Sequence, residues 1–212
     1  SRSMTLATLE DGQYILRGHK WFTSAITADM AFTLASTEQP ENRKRAPLSL
    51  FYMPIRDHNG KLNGIEVEAL KDKLGTKALP TAQLLLTGSE ARLVGEKGKG
   101  VKTIATLFNV TRIYNTISAV SYMRRAFSLS EAYGKIREAF GKNIDQHILY
   151  KKSLLDLEIA YESNSLIAFF LVQLLGKEDC KTSTEREEAL LRLLTPISKL
   201  YSAKACIASA GH

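Results

Sequence analysis

The spacing of hydrophobic residues changes once along this chain, near residue 94, and that change limits the fold more than any other feature. Before it, apolar residues alternate over short runs. Tyr14 and Leu16 stand around Ile15; Leu48, Leu50 and Tyr52 alternate with Ser49, Phe51 and Met53; Ile65, Val67 and Ala69 alternate with Glu66 and Glu68. Side chains of a strand point to opposite faces in turn, so period two between turn residues predicts strands. Asn59-Gly60 and the end of "KLNG" are turn signals, and "STEQPENRKRAP" is a polar loop between strands. Residues 1–94 therefore read as a small antiparallel β-domain, a barrel or sandwich.

Beyond residue 94 the period lengthens. Val101, Ile104, Phe108, Ile113, Ile117 and Val120 follow helical spacing, and the pattern continues through "MRRAFSLSEAYGKI". That makes a helix of about 35 residues, roughly 52 Å at 1.5 Å per residue. A second helix is predicted over Gln146 to Gly176, with Ile148, Leu155, Ile159, Leu166, Phe170 and Leu174 along one stripe. Its segment "IAFFLVQLL" is apolar nearly all round, the pattern of a helix covered on more than one side. A third begins near Thr184, which forms a capping box with Glu187, and Thr195-Pro196 is expected to interrupt or kink it. Residues 95–212 thus read as an antiparallel helical bundle. Three such helices cannot cover one another's stripes, so a further segment or a second subunit is expected to complete it.

Composition removes several function classes. The chain has 212 residues, 44% of them hydrophobic, enough for a sizeable core. No apolar run approaches the ~20 residues of a membrane span, and the N-terminal stretch does not have the form of a secretory signal. Cys180 and Cys206 are the only cysteines, which suits a reducing compartment and an intracellular location, mitochondrial or cytoplasmic. The net charge of +7 divides into +2 (12 basic, 10 acidic) up to residue 94 and +5 (17 basic, 12 acidic) beyond it. A nucleic-acid surface would then lie on the helical part, but its cations alternate with carboxylates and the densest cluster, Arg43-Lys44-Arg45, is three residues long. A polyanionic cofactor needs only a few placed cations and fits the same balance. The four histidines, His19, His58, His147 and His212, are scattered without metal-ligand spacing, and no Ser-His-Asp set, phosphate-binding Walker loop or strand-linked GxGxxG occurs. "GEKGKG" at 95–100 reads as a tight turn opening a helix.

Three short motifs remain: "GHKWFTSA" (18–25), "KDKLGTK" (71–77) and "REAFGK" (137–142). Together, in this order and on a β-domain followed by long helices, they resemble the acyl-CoA dehydrogenase family over essentially the whole chain. The first is similar to the family's G-x-K-x-[WF]-[IF]-T-[NS]-[AG] pattern, with Trp21 one place closer to Lys20 than is usual. The second is similar to its G-x-[RK] turn, and the third to its R-x-x-F-G element. "KDKLG" with "TRIYN" and "YMRRAFSLS" is most similar to the alkylation-response, AidB-like branch.

The resemblance implies FAD as cofactor and α,β-dehydrogenation of an acyl-CoA thioester, with hydride passing to flavin N5. It implies that Trp21, Phe22, Thr23 and Ser24 lie against the flavin and that Arg137 and Phe140 reach the FAD of a neighbouring subunit, Arg137 at its pyrophosphate or adenosine. Where many members carry Gln eight residues after that phenylalanine, this chain has Ile148. Arg112 matches an arginine on the helix lining the acyl-CoA channel. Thr111 occupies a place where some members carry the catalytic glutamate, so no catalytic residue is assigned here and the base is expected beyond His212. The N-terminal helical domain and a T-E-x-x-x-G-S-D-V strand of the family are expected before Ser1, and a middle fragment of this kind is expected to be inactive alone. Implied partners are acyl-CoA, an electron acceptor such as a flavoprotein, and copies of the same chain in a tetramer or dimer of dimers. The same fold also admits two alternatives: an acyl-CoA or fatty-acid binding or regulatory protein, and a DNA-associated flavoprotein of the AidB-like kind.

Overall fold

A computed structural model describes residues 5–38 and 46–211. Arg43-Lys44-Arg45, most of the polar loop around them and His212 lie outside the described residues. The chain forms two compact units, divided between Thr106 and Leu107.

The first unit holds six strands: β1 Thr5–Glu10, β2 Gln13–Ser24, β3 Met30–Ser36, β4 Leu48–Pro54, β5 Ile65–Leu70 and β6 Thr81–Val94. They are hydrogen-bonded in the order β2-β1-β3-β4-β6-β5, and β2 also pairs with β6, so five strands close on themselves and β5 rides on the outer edge of β6. The antiparallel expectation holds at every named pairing but one. β1 meets β3 in parallel at Leu6 and Ser36, which is what closes the ring. Inside sit Ala7, Leu16, Ala35, Phe51, Met53, Ile55, Ile65, Ala82, Leu84, Leu86 and Ala91, a core drawn from every strand.

β6 changes its inward phase partway along. Ala82, Leu84 and Leu86 point inward, then Ser89 and Ala91. The shift is a bulge at Gly88 (φ +148°), where Leu16 opposes Ser89 and the next residue, Arg17, opposes Thr87. Gly64 crosses directly above; a Cβ on it would lie 2.7 Å from the Gly88 carbonyl carbon, so only glycine permits the approach.

Three long helices follow: α1 Gly100–Ile136, α2 Ile148–Asp179 and α3 Glu185–Ala210. Ile113 of α1, Leu171 and Leu174 of α2 and Leu191 of α3 form the second unit's apolar core. On α1 the covered face is Ile113, Thr116, Ala119 and Met123, while Val101, Phe108 and Ile117 of the expected stripe are exposed. On α2 the face turned inward is Leu157, Asn164, Ala168, Leu171 and Leu174. The stripe expected from sequence is therefore misplaced, since Ile148, Leu155, Ile159, Leu166 and Phe170 are exposed and only Leu174 of it is buried. A helix apolar all round offers more than one stripe, and spacing alone cannot choose between them. Its apolarity also gives α2 an 18-residue window that would suit a membrane by length and composition, so the expectation that no apolar run approaches a membrane span does not hold for this helix.

The break expected at Thr195-Pro196 is not found, and α3 continues through Pro196. Proline removes the donor that would bond the Arg192 carbonyl, and in the turn before it the buried Thr195 hydroxyl donates to the Leu191 carbonyl at 2.6 Å. The capping box is present. Glu187 N–H donates to Thr184 Oγ1 at 3.3 Å, and Thr184 N–H donates to Glu187 Oε2 at 2.9 Å. Glu187 also receives the Lys177 ammonium from α2, and these bonds hold its carboxyl down from the usual 4.5 to about 2. Thr184→Ala should cost about 1 kcal/mol and lower the melting temperature. Because Glu187's folded value is depressed, its contribution is present above pH 4.5 and is lost as pH falls from there toward 2. Acid titration of Glu187→Gln should show a shallower loss of stability through that window than the parent.

Candidate functional site

The long strand β2 carries the "GHKWFTSA" motif, and a second irregularity sits inside it. Lys20 pairs with Leu84 and Thr23 with Ala82, so three steps on β2 span two on β6. The extra residue falls at Trp21-Phe22. In a regular strand these rings would point to opposite faces; with the bulge both are outside the core, Trp21 54% and Phe22 68% exposed, at right angles with centroids 6.1 Å apart. β5 is irregular at the same level of β6, because Val67 pairs with Leu84 and Ala69 with Gln83, which leaves Glu68 as the extra residue.

The structure brings the second motif to the first. After β5, the Lys71 ammonium lies over the Trp21 ring at 3.4 Å from its centroid. Lys73 donates to Thr76 Oγ1 at 3.2 Å, the Leu79 carbonyl at 2.5 Å and Thr81 Oγ1 at 3.1 Å, fixing the "KDKLGTK" turn to the start of β6. Thr81 in turn shares a 2.8 Å hydrogen bond with Ser24, so the turn and the end of β2 form one network. Thr23 is half-buried. Lys20 turns the other way, donating to the Leu34 carbonyl at 2.6 Å, and desolvation pushes its ammonium down to about 8.

The third motif lies on the second unit, in the joint between α1 and α2. Two short strands, β7 Glu138–Ala139 and β8 Lys142–Asn143, flank a two-residue turn at Phe140-Gly141. Both turn residues have positive φ, +50° and +81°, as a type I′ turn demands. Phe140 is 96% exposed at the tip, stacked edge-on with His147 at 6.0 Å. The hairpin is anchored from below: Asn143 donates to the Lys135 carbonyl at 2.7 Å, Ile144 N–H to the Arg137 carbonyl at 2.8 Å, and His147 Nε2 meets the Ala139 carbonyl at 3.0 Å. Gly134 lets Tyr150 approach α1, where the phenol donates to the Ser130 carbonyl at 2.6 Å. Arg137 is exposed and makes no ion pair among the described residues.

Comparison with known proteins fixes the family. The profile of "Acyl-CoA dehydrogenase, middle domain" matches residues 1–89, and that of "Acyl-CoA dehydrogenase, C-terminal domain" matches residues 98–211. The chain belongs to the acyl-CoA dehydrogenase family. It is 45% identical to the solved structure of the Bd2924 apo-form, with a TM-score of 0.90 over 98% of this chain and 42% of that one. It is 40% identical to Caenorhabditis elegans ACDH-11, solved in complex with C11-CoA, with a TM-score of 0.90 over 98% and 36% of the two chains. The putative acyl-CoA dehydrogenase AidB of Escherichia coli is 32% identical over 92% of this chain and 34% of its own length. The chain spans about a third of the length of two curated relatives, 33% of acyl-CoA dehydrogenase family member 11 of Caenorhabditis elegans and 34% of AidB.

For an acyl-CoA dehydrogenase the group to fit is a flat, amphipathic ring system carrying a pyrophosphate. The end of β2 suits the ring system, with two outward aromatic rings beside hydroxyls that the Lys73 network orders. Arg137 suits the phosphates, as a guanidinium free to form a bidentate pair. On α1, Arg112 is half-buried and donates to Asn109 Oδ1 at 3.1 Å, with no carboxylate partner among the described residues, while the Thr111 hydroxyl is spent on the Phe108 carbonyl at 3.0 Å.

Sequence reasoning missed the paired bulges, Lys71 and Glu68. One signal was available: two consecutive aromatics inside a period-two strand are what a bulge accommodates. The Phe140 turn gives a stability test, since a phenylalanine at φ +50° costs about 1–2 kcal/mol. Phe140→Asn, the residue type I′ turns favour, should raise the melting temperature by several degrees.

Proposed function

We propose that the chain carries the cofactor-holding part of an FAD-dependent acyl-CoA dehydrogenase that oxidises an acyl thioester between its α- and β-carbons. The observation that carries this reading is the β2 bulge, which presents Trp21 and Phe22 side by side at the position of the family's aromatic-threonine motif. The flavin, when bound, supplies the acceptor for the hydride that leaves the β-carbon.

Trp21 and Phe22 would hold its ring, and the hydroxyls of Thr23 and Ser24 its polar edge. Ser24, tied through Thr81 to Lys73, is held in place before the ligand arrives, and such fixed dipoles stabilise negative charge at little cost in reorganisation. Arg137 would take the pyrophosphate and Phe140 the adenosine end, both from the hairpin of a neighbouring copy. Arg112 would face the acyl-CoA. Loss of the α-proton needs a carboxylate base. Thr111 cannot serve, and we assign that role to no described residue.

Apolar residues left uncovered on α2, among them Leu166 and Phe169 at 73% and 75% exposure, support assembly into a tetramer or dimer of dimers. An electron-transfer flavoprotein suits the need to reoxidise the flavin, and the free thiols of Cys180 and Cys206 suit an intracellular location, mitochondrial or cytoplasmic. A second reading is acyl-CoA binding without turnover, favoured by the C11-CoA complex of the 40% identical ACDH-11. A DNA-associated role is suggested by the positive charge and by the likeness to AidB.

The test is an absorbance spectrum of the purified protein with FAD and a series of acyl-CoAs of rising length, without oxygen. Flavin bands near ~450 nm that bleach with one length class are the expected result. Bands that persist while acyl-CoA binds favour the second reading, and a protein that takes up no FAD refutes the proposal. Trp21→Ala should lower FAD affinity about tenfold, because one large aromatic contact is lost.

A further inference from the structure

Lys71 stands where a flat ligand would lie. Its ammonium is 3.4 Å from the centroid of the Trp21 ring and 5.3 Å from that of Phe22. It also reaches Gln83 Oε1 at 3.4 Å. The Gln83 amide donates to Glu68 Oε2 at 2.8 Å, and the same oxygen meets His19 Nδ1 at 3.1 Å. Glu68 is the extra residue of the β5 bulge and Trp21 lies in the β2 bulge, so both irregularities serve this one cluster.

An ammonium at van der Waals distance from an indole face excludes a second ring from that face. Two stations are open to this cation: the indole, where its attraction is electrostatic, and the polar pair Gln83–Glu68 beside it. We propose that Lys71 is a placeholder cation: it covers the Trp21 ring in the flavin-free protein and withdraws toward Gln83 and Glu68 when a flavin stacks there. Lys71 is therefore a residue that sets cofactor affinity. This inference rests on the flavin reading of Trp21.

Trp21 is the only tryptophan of the chain, so its emission reports on this ring alone. The flavin-free protein, Lys71→Ala and Lys71→Arg are compared in two measurements: quenching of Trp21 emission by neutral acrylamide, and titration with FAD read by the same emission. Lys71→Ala, which cannot reach the ring, should be more open to acrylamide and should bind FAD about two- to fivefold more tightly, the size of an exposed cation–π contact. Lys71→Arg keeps a cation that stacks on the ring and should not tighten binding. Equal or weaker FAD binding by Lys71→Ala overturns the placeholder and leaves the flavin reading standing. FAD that binds none of the three forms refutes the flavin reading and this inference together.

Discussion

Strand β6 is the member on which the first unit depends. It bonds β2 along one edge, and β5 and then β4 along the other, so it both closes the ring and carries the strand outside it. Closure fixes register, because a one-residue slip would turn Ala82, Leu84 and Leu86 out of the core. The ladders of β6 with β2 and β5 are interrupted by bulges. One sits at Gly88, where the Gly64 crossing needs a bare backbone; two others lie opposite Leu84 and its neighbours. The candidate site is built on the latter pair. A strand that obeyed strict alternation could not present Trp21 and Phe22 together, nor place Glu68 within reach of both His19 and Gln83.

The second unit is governed by a different constraint. Its helices cover one another on a narrow face lined by small and polar residues: Thr116, Asn164, Ser165, Thr195, Ser198 and Ser202 are all buried. Small side chains bring helices close but bury little apolar area, and the larger residues Leu155, Leu166, Phe169 and Leu200 remain outside. The arrangement explains the misjudged stripe on α2: the bulky residues that dominate a hydrophobicity pattern are those this chain leaves for other surfaces, while the close internal contact uses residues that such a pattern scores as neutral.

The hairpin between α1 and α2 shows how local and tertiary demands combine. Phe140 accepts an unfavourable φ at a turn that sequence rules would give to asparagine. It is held there by anchors on both sides, Asn143 to the end of α1 and His147 to Ala139. A large exposed aromatic in a strained turn contributes nothing to the core, and that is the feature on which the proposed role of Phe140 and the neighbouring Arg137 rests.

Much was legible in sequence. The change of period separated the strand-forming stretch from the helices, because side-chain direction along a strand or helix is a local property. The capping box at Thr184 and Glu187 was legible for the same reason, since its partners are three residues apart. The motif residues were legible only through resemblance. What tertiary structure alone decided was everything that depends on partners distant in the chain: the parallel contact of β1 with β3, the buried face of α2, and the joining of "GHKWFTSA" to "KDKLGTK" through Ser24, Thr81 and Lys73 and through Lys71 on Trp21. Register and bulges arise from closing a ring of strands, a condition on all five at once, and no single segment carries it.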